Sequence, residues 1–336
     1  MKSKDRVVLI NAFISLLVIV VTWLSFSFGA AGFYPILSIK IFVHKLFKLK
    51  SPLTPISDII WQIRAPRILL CLLVGAGLSG SGAALQATFQ NPLVDPYLLG
   101  LSAGAGLGCA ISVAFLSGSY TPFWAFTGAV LACILTYFLA KTKRGISRLG
   151  LILSGVVVSA FLMALVSLIK FIVDPHSLTS IVTWLMGSFS LSSWARLKDA
   201  FPMILAGCLI IFLMRFRINL LSLSREEAIN LGVNLEKERA FIIAGVCLAT
   251  GASVASAGII GWIGLMVPHL IRLMIGPDNR FLIPMSMIAG AGIMVASDTI
   301  ARSLCSFDLP VGIITSLLGI PFFIYLLRSK TQSGWI

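Results

Sequence analysis

Long apolar runs, separated by short charged or proline-containing stretches, follow one another along almost the whole chain. A helical span needs about 20 apolar residues to cross a bilayer core, and about ten runs reach or approach that length. They lie at 7–31, 66–86, 98–116, 122–140, 149–170, 200–214, 240–257, 259–275, 281–301 and 311–327. Membrane barrels instead use short strands of alternating polarity. The pattern therefore predicts an all-α polytopic membrane protein with about ten transmembrane helices, and the shorter apolar piece 178–189 is expected at the membrane interface.

Composition excludes a water-soluble protein. Of the 336 residues, 58% are hydrophobic and 11% are charged, whereas soluble domains carry roughly 25% charged residues. The mean hydropathy is +1.01. We expect one transmembrane domain, 1–336, in which a first span and an interfacial segment, 1–63, precede the core at 64–330. The first run is too long for the apolar part of a signal peptide and is expected to stay as an uncleaved span.

The basic residues predict the orientation. An even number of spans places both termini on one side, and most lysines and arginines fall in the loops on that side. Since basic residues in short loops mark the cytoplasmic face, both termini are expected in the cytoplasm. The formal net charge of +14 is thus attributed to loops and not to nucleic-acid binding. The basic segment 40–67 is the exception, and binding to anionic lipid headgroups and binding to a partner both remain open for it.

Proline and polar residues interrupt the chain just after the second run. Gln90, Asn91, Pro92, Asp95 and Pro96 follow one another within seven positions. Irregular backbone near the bilayer is tolerated only inside protein or beside a water-filled cavity. The interruption favours a transporter over a structural membrane protein.

Motifs of enzyme chemistry are absent from the sequence. It contains no Gly-Lys pair for a phosphate loop, no HExxH and no GxSxG. The 6 cysteines and 3 histidines show no metal-ligand spacing, so we expect neither a metal site nor a bound cofactor. Asp298 is the acidic residue placed well inside a predicted span, and its spacing predicts a pair with Arg302. An ion-coupled carrier or a membrane enzyme is therefore disfavoured but stays as the alternative, and an ATPase partner is expected to supply the energy.

The longest predicted cytoplasmic loop, 215–239, carries helix signals. Ser224 is a candidate N-cap, Glu226 and Glu227 would lie in the first turn, and Gly232 would end the helix. Two interpretations remain open: a solvated linker helix, and a lever that docks into another subunit.

Several motifs become recognisable together because of their order along the chain. They include Arg64-Ala-Pro-Arg67, Asn91-Pro92-Leu93, Met186-Gly187-Ser188, Val267-Pro268-His269 and Leu309-Pro310-Val311-Gly312. From Arg64 to Leu327 the chain resembles the FecCD-type, BtuC-like membrane permeases of binding-protein-dependent ABC importers for iron-siderophore, haem and vitamin B12. One departure is Asp308, where the family pattern has Glu.

The resemblance implies a ten-helix permease that works by alternating access in the cytoplasmic membrane of a prokaryote, embedded in membrane lipid. Its implied partners are a second permease copy or paralogue, two ABC ATPase subunits that use ATP and Mg, and an extracytoplasmic substrate-binding protein. The permease itself is not a catalyst. A ferric siderophore is the expected cargo, with haem, cobalamin or an oxyanion left open.

The resemblance also implies roles for particular residues. Docking of the binding protein falls to Arg64, Arg67 and Arg302, which lie on the predicted external side. Coupling to the ATPase falls to Arg225, Glu227, Ala228, Leu231 and Gly232. The translocation path and inner gate are assigned to Ser147, Gly150, Ser154, Gly155 and Ser159. The structural motif residues are Gln86, Asn91, Pro92, Pro96, Pro268, His269, Pro310 and Gly312.

Overall fold

The structure is a computed structural model that describes residues 3–28, 35–47, 55–142, 145–221, 234–304 and 308–330. Its α-helices are α1 (Ser3–Ser27), α2 (Pro35–Leu46), α3 (Pro55–Asp58), α4 (Ala65–Phe89), α5 (Leu101–Phe115), α6 (Thr121–Ala140), α7 (Arg148–Ile172), α8 (Pro175–Leu185), α9 (Trp194–Leu221), α10 (Leu235–Ala257), α11 (Ile263–Ile275), α12 (Asn279–Leu304) and α13 (Val311–Lys330). A π-helix, Ile59–Arg64, joins α3 to α4, and a 3-10 helix covers Pro96–Leu99. Strands Lys141–Thr142 and Gly145–Ile146 form a small antiparallel hairpin before α7.

The predicted spans are present as helices. Seven helices of the described chain are long and apolar enough to cross a membrane, and shorter apolar helices occupy 101–115, 263–275 and 311–325. The all-α polytopic fold class is confirmed. The interfacial piece expected at 178–189 is helix α8, which begins three residues earlier, because Asp174 caps it by accepting hydrogen bonds from the backbone of His176 and Ser177.

Three helices form the centre of the bundle. About three quarters of the most apolar stretch of each of these helices is buried: 78% in α4, 78% in α10 and 72% in α12. The corresponding share in α1 is 6%. Helix α1 therefore lies at the periphery, where it packs on α12. In water such an exposed apolar helix would be unstable, but in a bilayer lipid covers its outer face.

Glycines allow the central helices to approach closely. A Cβ on Gly75 of α4 would lie 2.3 Å from the carbonyl oxygen of Gly290 in α12. A Cβ on Gly104 of α5 would lie 2.2 Å from the carbonyl oxygen of Gly128 in α6. Both distances are shorter than any normal contact, so a larger residue would force the helices apart. The small residues of 75–83 thus serve helix packing, as is common in membranes.

Two of the predicted spans form short helices. At about 1.5 Å per residue, α5 with 15 residues and α11 with 13 residues are only about 20 Å long, less than the bilayer core of about 30 Å. Irregular segments, 90–100 and 258–262, precede them. The chain therefore leaves the α-helical conformation before each short helix begins, and in the first segment it includes the 3-10 helix Pro96–Leu99.

Candidate translocation path

The two irregular segments contact each other inside the protein. The Tyr97 hydroxyl donates to the carbonyl oxygen of Ile260 at 2.8 Å and accepts from the Ile260 amide at 3.1 Å. Gln86 Nε2 donates to the carbonyl oxygen of Leu265 at 3.2 Å. Asp95 caps the 3-10 helix by accepting from the Tyr97 amide. These contacts satisfy polar backbone groups of both interruptions within the bundle, which is what irregular structure in a membrane needs.

Three sequence motifs meet beside this contact through their glycines. A Cβ on Gly187 would lie 2.5 Å from the Ile259 carbonyl oxygen, and one on Gly312 would lie 2.2 Å from the Met186 carbonyl oxygen. Gly258 is similarly close to the Trp184 carbonyl oxygen, at 2.3 Å. Gly187 and Gly258 also have φ of +71° and +75°, which favours glycine. The motifs around 186–188, 258 and 309–312 are therefore explained by close backbone contact.

The remaining motif residues are placed in the same region or at its edges. Asn91 Oδ1 accepts from the Leu93 amide in a turn, with Pro92 between them, and Pro96 begins the 3-10 helix. Pro268 and His269 are buried within α11. The His269 ring lies 6.4 Å and 6.3 Å from the rings of Phe322 and Phe323 in α13. Pro310 directly precedes α13.

The residues predicted to line the path lie at the start and along the first half of α7, and some of them are accessible whereas others are buried. Ser147 is exposed and caps the helix by accepting from the Gly150 amide at 2.8 Å. Ser154 and Ser159 are half-buried. Gly155 is buried against the 3-10 helix, where an added Cβ would come within 1.7 Å of the Leu98 carbonyl oxygen. Gly155 is therefore a packing residue in this structure, whereas the three serines remain accessible.

Polar contacts connect the start of α7 to the end of α9. We call this end of the bundle the inner end and the opposite end the outer end, following the orientation that the basic loops predict. The carbonyl oxygen of Leu221 accepts from Gln90 Nε2 at 3.2 Å and from Arg148 Nη2 at 3.4 Å. Arg148 also donates to Gln90 Oε1. We call Gln90, Arg148 and Leu221 the inner latch. From the sequence Arg148 could be recognised only as one of the basic residues of a predicted cytoplasmic loop.

Two further ties hold the end of α9 in place. Arg217 forms a salt bridge with Glu238 of α10. Asn219 Nδ2 donates to Asp278 Oδ1 at 2.8 Å, just before α12. Hydrogen bonds from Arg280, and from Asn219, lower the pKa of Asp278 to about 2. The Asp278 carboxylate therefore stays ionised at physiological pH and continues to accept from Asn219. The coupling residues Arg225, Glu227, Ala228, Leu231 and Gly232 lie outside the described residues, between these anchored helix ends.

The three arginines predicted to dock a partner are brought together at the outer end, but they are buried. Arg64 Nη1 donates to the carbonyl oxygens of Phe26 and Ser27 at 2.7 Å and 3.1 Å. Arg302 Nη2 donates to the Ser25 carbonyl oxygen at 2.5 Å. The last carbonyl groups of a helix have no partner within the helix, and cations at that end are favourable. Arg64 and Arg302 thus cap the C-terminus of α1.

Arg67 forms a buried ion pair that the sequence did not predict. Its guanidinium contacts the carboxylate of Asp298 with three hydrogen bonds of 2.9 to 3.1 Å, and its Nη1 donates to Asp308 Oδ2 at 3.0 Å. The expected pair of Asp298 with Arg302 is present but longer, at 3.6 Å. Only Asp308 in this group is exposed, with 42% of its side chain accessible. These residues, Arg67, Asp298, Arg302 and Asp308, form what we call the outer clamp.

Because the three arginines are buried, substitutions that test docking also affect the stability of the fold. A partner carboxylate would have to compete with Asp308 for Arg67, or displace the α1 carbonyl groups from Arg64 and Arg302. Reversing all three charges would set new carboxylates beside Asp298. That variant would lose folding and docking together and could not separate them.

Comparisons with known proteins agree with this architecture. The sequence matches the model of the FecCD transport family over residues 16–329. It is 45% identical over 285 residues to a protein of Helicobacter pylori named as a probable iron chelatin transport system permease, which covers 85% of this chain and 87% of that protein. It is 34% identical over 339 residues to the iron(3+)-hydroxamate import permease FhuG of Bacillus subtilis, covering 97% and 99%.

Further similarities include a haem transporter and a solved structure. The hemin transport permease HmuU of Yersinia pestis is 38% identical over 293 residues, covering 83% of this chain and 87% of that protein. A structure described as an inward-facing conformation of a metal-chelate type ABC transporter superposes with a TM-score of 0.82. It is 35% identical and the alignment covers 95% of this chain and 99% of that one.

Proposed function

This chain belongs to the FecCD transport family, and we propose that it forms the membrane pathway of an ABC importer for ferric siderophores. As a permease subunit it is a transport component and not a catalyst. The observation that carries the proposed cargo is the 45% identity to the Helicobacter pylori protein named for iron chelatin transport. Relatives named for haem, cobalamin, molybdate and ferric hydroxamate supply the competing cargoes.

Cargo is tested by uptake into proteoliposomes that contain the permease, its cognate ATPase and its binding protein. The probes are a ferric tris-hydroxamate, a ferric tris-catecholate, hemin, cyanocobalamin and molybdate. We expect ATP-dependent uptake of the ferric tris-hydroxamate or the ferric tris-catecholate, and background uptake of molybdate. Uptake confined to cyanocobalamin, hemin or molybdate would contradict the proposed cargo.

The alternative of an ion-coupled carrier would need Asp298 as its coupling residue, and the contacts of Asp298 argue against that role. Proton or ion coupling needs an ionisable side chain that can change its partner during the cycle. Asp298 is instead bound to Arg67 by several hydrogen bonds and is 1% exposed. ATP-independent uptake driven by a proton gradient would restore this alternative.

We propose that motion of the ATPase enters the permease at the segment 222–233. The predicted coupling residues, Ala228 and Gly232 among them, belong to it. Its preceding helix end is held by the inner latch, and Arg148 of the latch stands beside the Ser147 cap of α7. A displacement of the segment would thus pull directly on the start of the helix assigned to the gate.

We also propose the assembly and orientation typical of the family. They comprise a second permease copy or paralogue, two ATPase subunits at the inner end and a binding protein at the outer end, with both termini in the cytoplasm. The whole chain acts as one transmembrane domain, since α1 packs on α12 and its end is capped by Arg64 and Arg302. The binding protein would dock near the exposed carboxylate of Asp308 and the buried arginines behind it.

Thiol accessibility tests the assignment of the path to α7. Single cysteines at Ser147, Ser154 and Ser159, in a background without the native cysteines, should react with a small polar thiol reagent because all three positions are accessible. We expect the rates at Ser154 and Ser159 to change at least severalfold when nucleotide is trapped. A cysteine at Val158, which is buried on the same helix and already has a side chain of similar size, is the matched packed control and should not react. Protection of Ser154 and Ser159 equal to that of Val158 in every state would place this face of α7 in the packed interior.

A further inference from the structure

A polar cavity of about 870 Å³ opens at the outer end of the bundle. The end of α5, the start of α6, helix α8, the start of α9 and the end of α10 form its wall. Small-molecule sites commonly occupy about 300 to 1,000 Å³, so the cavity has room for a metal chelate. A second cavity of about 320 Å³ adjoins it and shares Arg196 in its wall.

Helix α8 supplies hydroxyl groups whose hydrogens are already donated. Thr179 donates to the Pro175 carbonyl oxygen at 2.8 Å, and Thr183 donates to the Thr179 carbonyl oxygen at 2.7 Å. Ser180 donates in the same way to His176 at 3.1 Å. Toward the cavity these groups present oxygen lone pairs, which hold water but do not bind anionic oxygen. This wall therefore favours a hydrated cavity and does not itself bind an anion.

Arg196 is the cation of this cavity. It lies in the first turn of α9 and is half-buried. Among the described residues its guanidinium forms no hydrogen bond or salt bridge; only its backbone amide is bonded, to Ser193 Oγ. Burying part of a charge without a partner is unfavourable, so the site is suited to an anionic group that comes from outside the chain.

The acidic residues nearby do not neutralise Arg196. Asp174 also lines the cavity, but its Oδ1 accepts from the His176 and Ser177 amides at the N-terminus of α8. The positive end of that helix partly offsets its charge. Asp199 lines the second cavity and forms no salt bridge with Arg196. The other titratable side chains are His176 and Cys109 in the wall of the first cavity and Tyr120 in the wall of the second.

We propose that the outer cavity is a transient subsite for anionic, oxygen-rich metal chelates, and that Arg196 binds their carboxylate or catecholate oxygens. Guanidinium groups suit this task because they bind such oxygens in a bidentate manner. The wet hydroxyl wall would let the rest of the chelate slide past. The subsite would then favour charged chelates over neutral ones at the entrance of the path. This inference rests on the proposed function.

The test compares an anionic ferric probe with a neutral one. The permease–ATPase complex in nanodiscs, without the binding protein, is titrated with an anionic ferric tris-catecholate and a neutral ferric tris-hydroxamate labelled with radioactive iron. We expect the Arg196→Gln variant to bind the tris-catecholate about tenfold more weakly, the scale of one lost charge-assisted hydrogen bond. Binding of the tris-hydroxamate should not change. Arg196→Lys should recover part of the loss, and Lys198→Gln, which removes an exposed charge two residues away on α9, should bind like wild type.

Outcomes separate this inference from the proposed function. Equal affinity of wild type and Arg196→Gln for the tris-catecholate would overturn the subsite, as would an equal loss for both probes. If Arg196→Gln does not fold, the wild-type complex decides the matter: binding the two probes with equal affinity would also overturn it. Failure of the proposed function would instead appear as the absence of ATP-dependent uptake of every ferric probe by the complete wild-type importer.

Discussion

Replacing Asp298 with alanine is expected to lower the free energy of unfolding by about 3 to 5 kcal/mol, the usual cost of leaving a buried charge without its partner. Asp298 is 1% exposed and is the main partner of Arg67, whose own side chain is 8% exposed. The variant would leave Arg67 with Asp308 alone and Arg302 without its ion pair. Thermal unfolding of the purified permease in detergent, followed by tryptophan fluorescence, measures the loss.

Matched variants distinguish the stability loss caused by breaking the outer clamp from any general effect of removing an acidic residue. Asp308→Ala should cost much less, because the Asp308 carboxylate is partly exposed and solvent weakens its interaction. Asp199→Ala removes an exposed acid and should leave the unfolding temperature unchanged. Replacing Arg67 and Asp298 together by Met and Leu should recover much of the loss, because well-packed apolar residues can substitute for a buried pair. An Asp298→Ala variant as stable as wild type would refute the clamp.

The clamp also explains why three arginines fall on the predicted external side, where basic residues are otherwise few. The sequence predicted a docking role for Arg64, Arg67 and Arg302 from their external position. In the structure Arg64 and Arg302 cap α1, and Arg67 binds Asp298. Docking stays a prediction, and a fair test leaves these three residues in place. Asp308→Ala or Asp308→Lys, which alters the exposed member, is the better probe of binding-protein affinity.

Hydrophobic length predicted the spans because a bilayer fixes how many apolar residues a helix needs. The same pattern could not predict that α5 and α11 would be short, since the runs 98–116 and 259–275 remain apolar through their irregular ends. Pro92, Pro96 and the polar residues beside them indicated an interruption, but not that Tyr97 would bond to Ile260, 163 positions away. Such contacts depend on how the helices pack and leave no local pattern.

Charged residues were harder to interpret than apolar ones. The i, i+4 spacing of Asp298 and Arg302 suggested a pair, yet the shorter contacts of Asp298 go to Arg67, 231 positions away in the chain. In the sequence Arg148 differed from the other basic loop residues in no way, and Arg196 was one of few basic residues on the predicted external side. A residue's sign and side of the membrane can be inferred from sequence, whereas its partner is decided by the tertiary fold.

Breaking the inner latch is expected to uncouple ATP hydrolysis from transport. Arg148 donates both to Gln90 and to the Leu221 carbonyl oxygen, so it joins the α4–α5 connection, the start of α7 and the helix that leads into the coupling segment. In the Arg148→Ala variant a push on that segment would move the end of α9 without moving α7. Hydrogen bonds to charged groups contribute about 1.5 to 3 kcal/mol each. We therefore expect chelate transported per ATP to fall about tenfold or more, with ATP hydrolysis nearly unchanged.

The measurement is the ratio of chelate uptake to phosphate release in proteoliposomes. Lys141→Ala is the matched control, because it removes an exposed cation of the same loop, and the ratio should remain that of wild type. Gln90→Ala should reduce the ratio, and Gln90→Ala combined with Arg148→Ala should reduce it by less than the two separate effects together, since both residues act on Leu221. A wild-type ratio in Arg148→Ala would show that the ATPase moves α7 by another route. Additive losses would show that Gln90 and Arg148 act independently and that the latch is not a single unit.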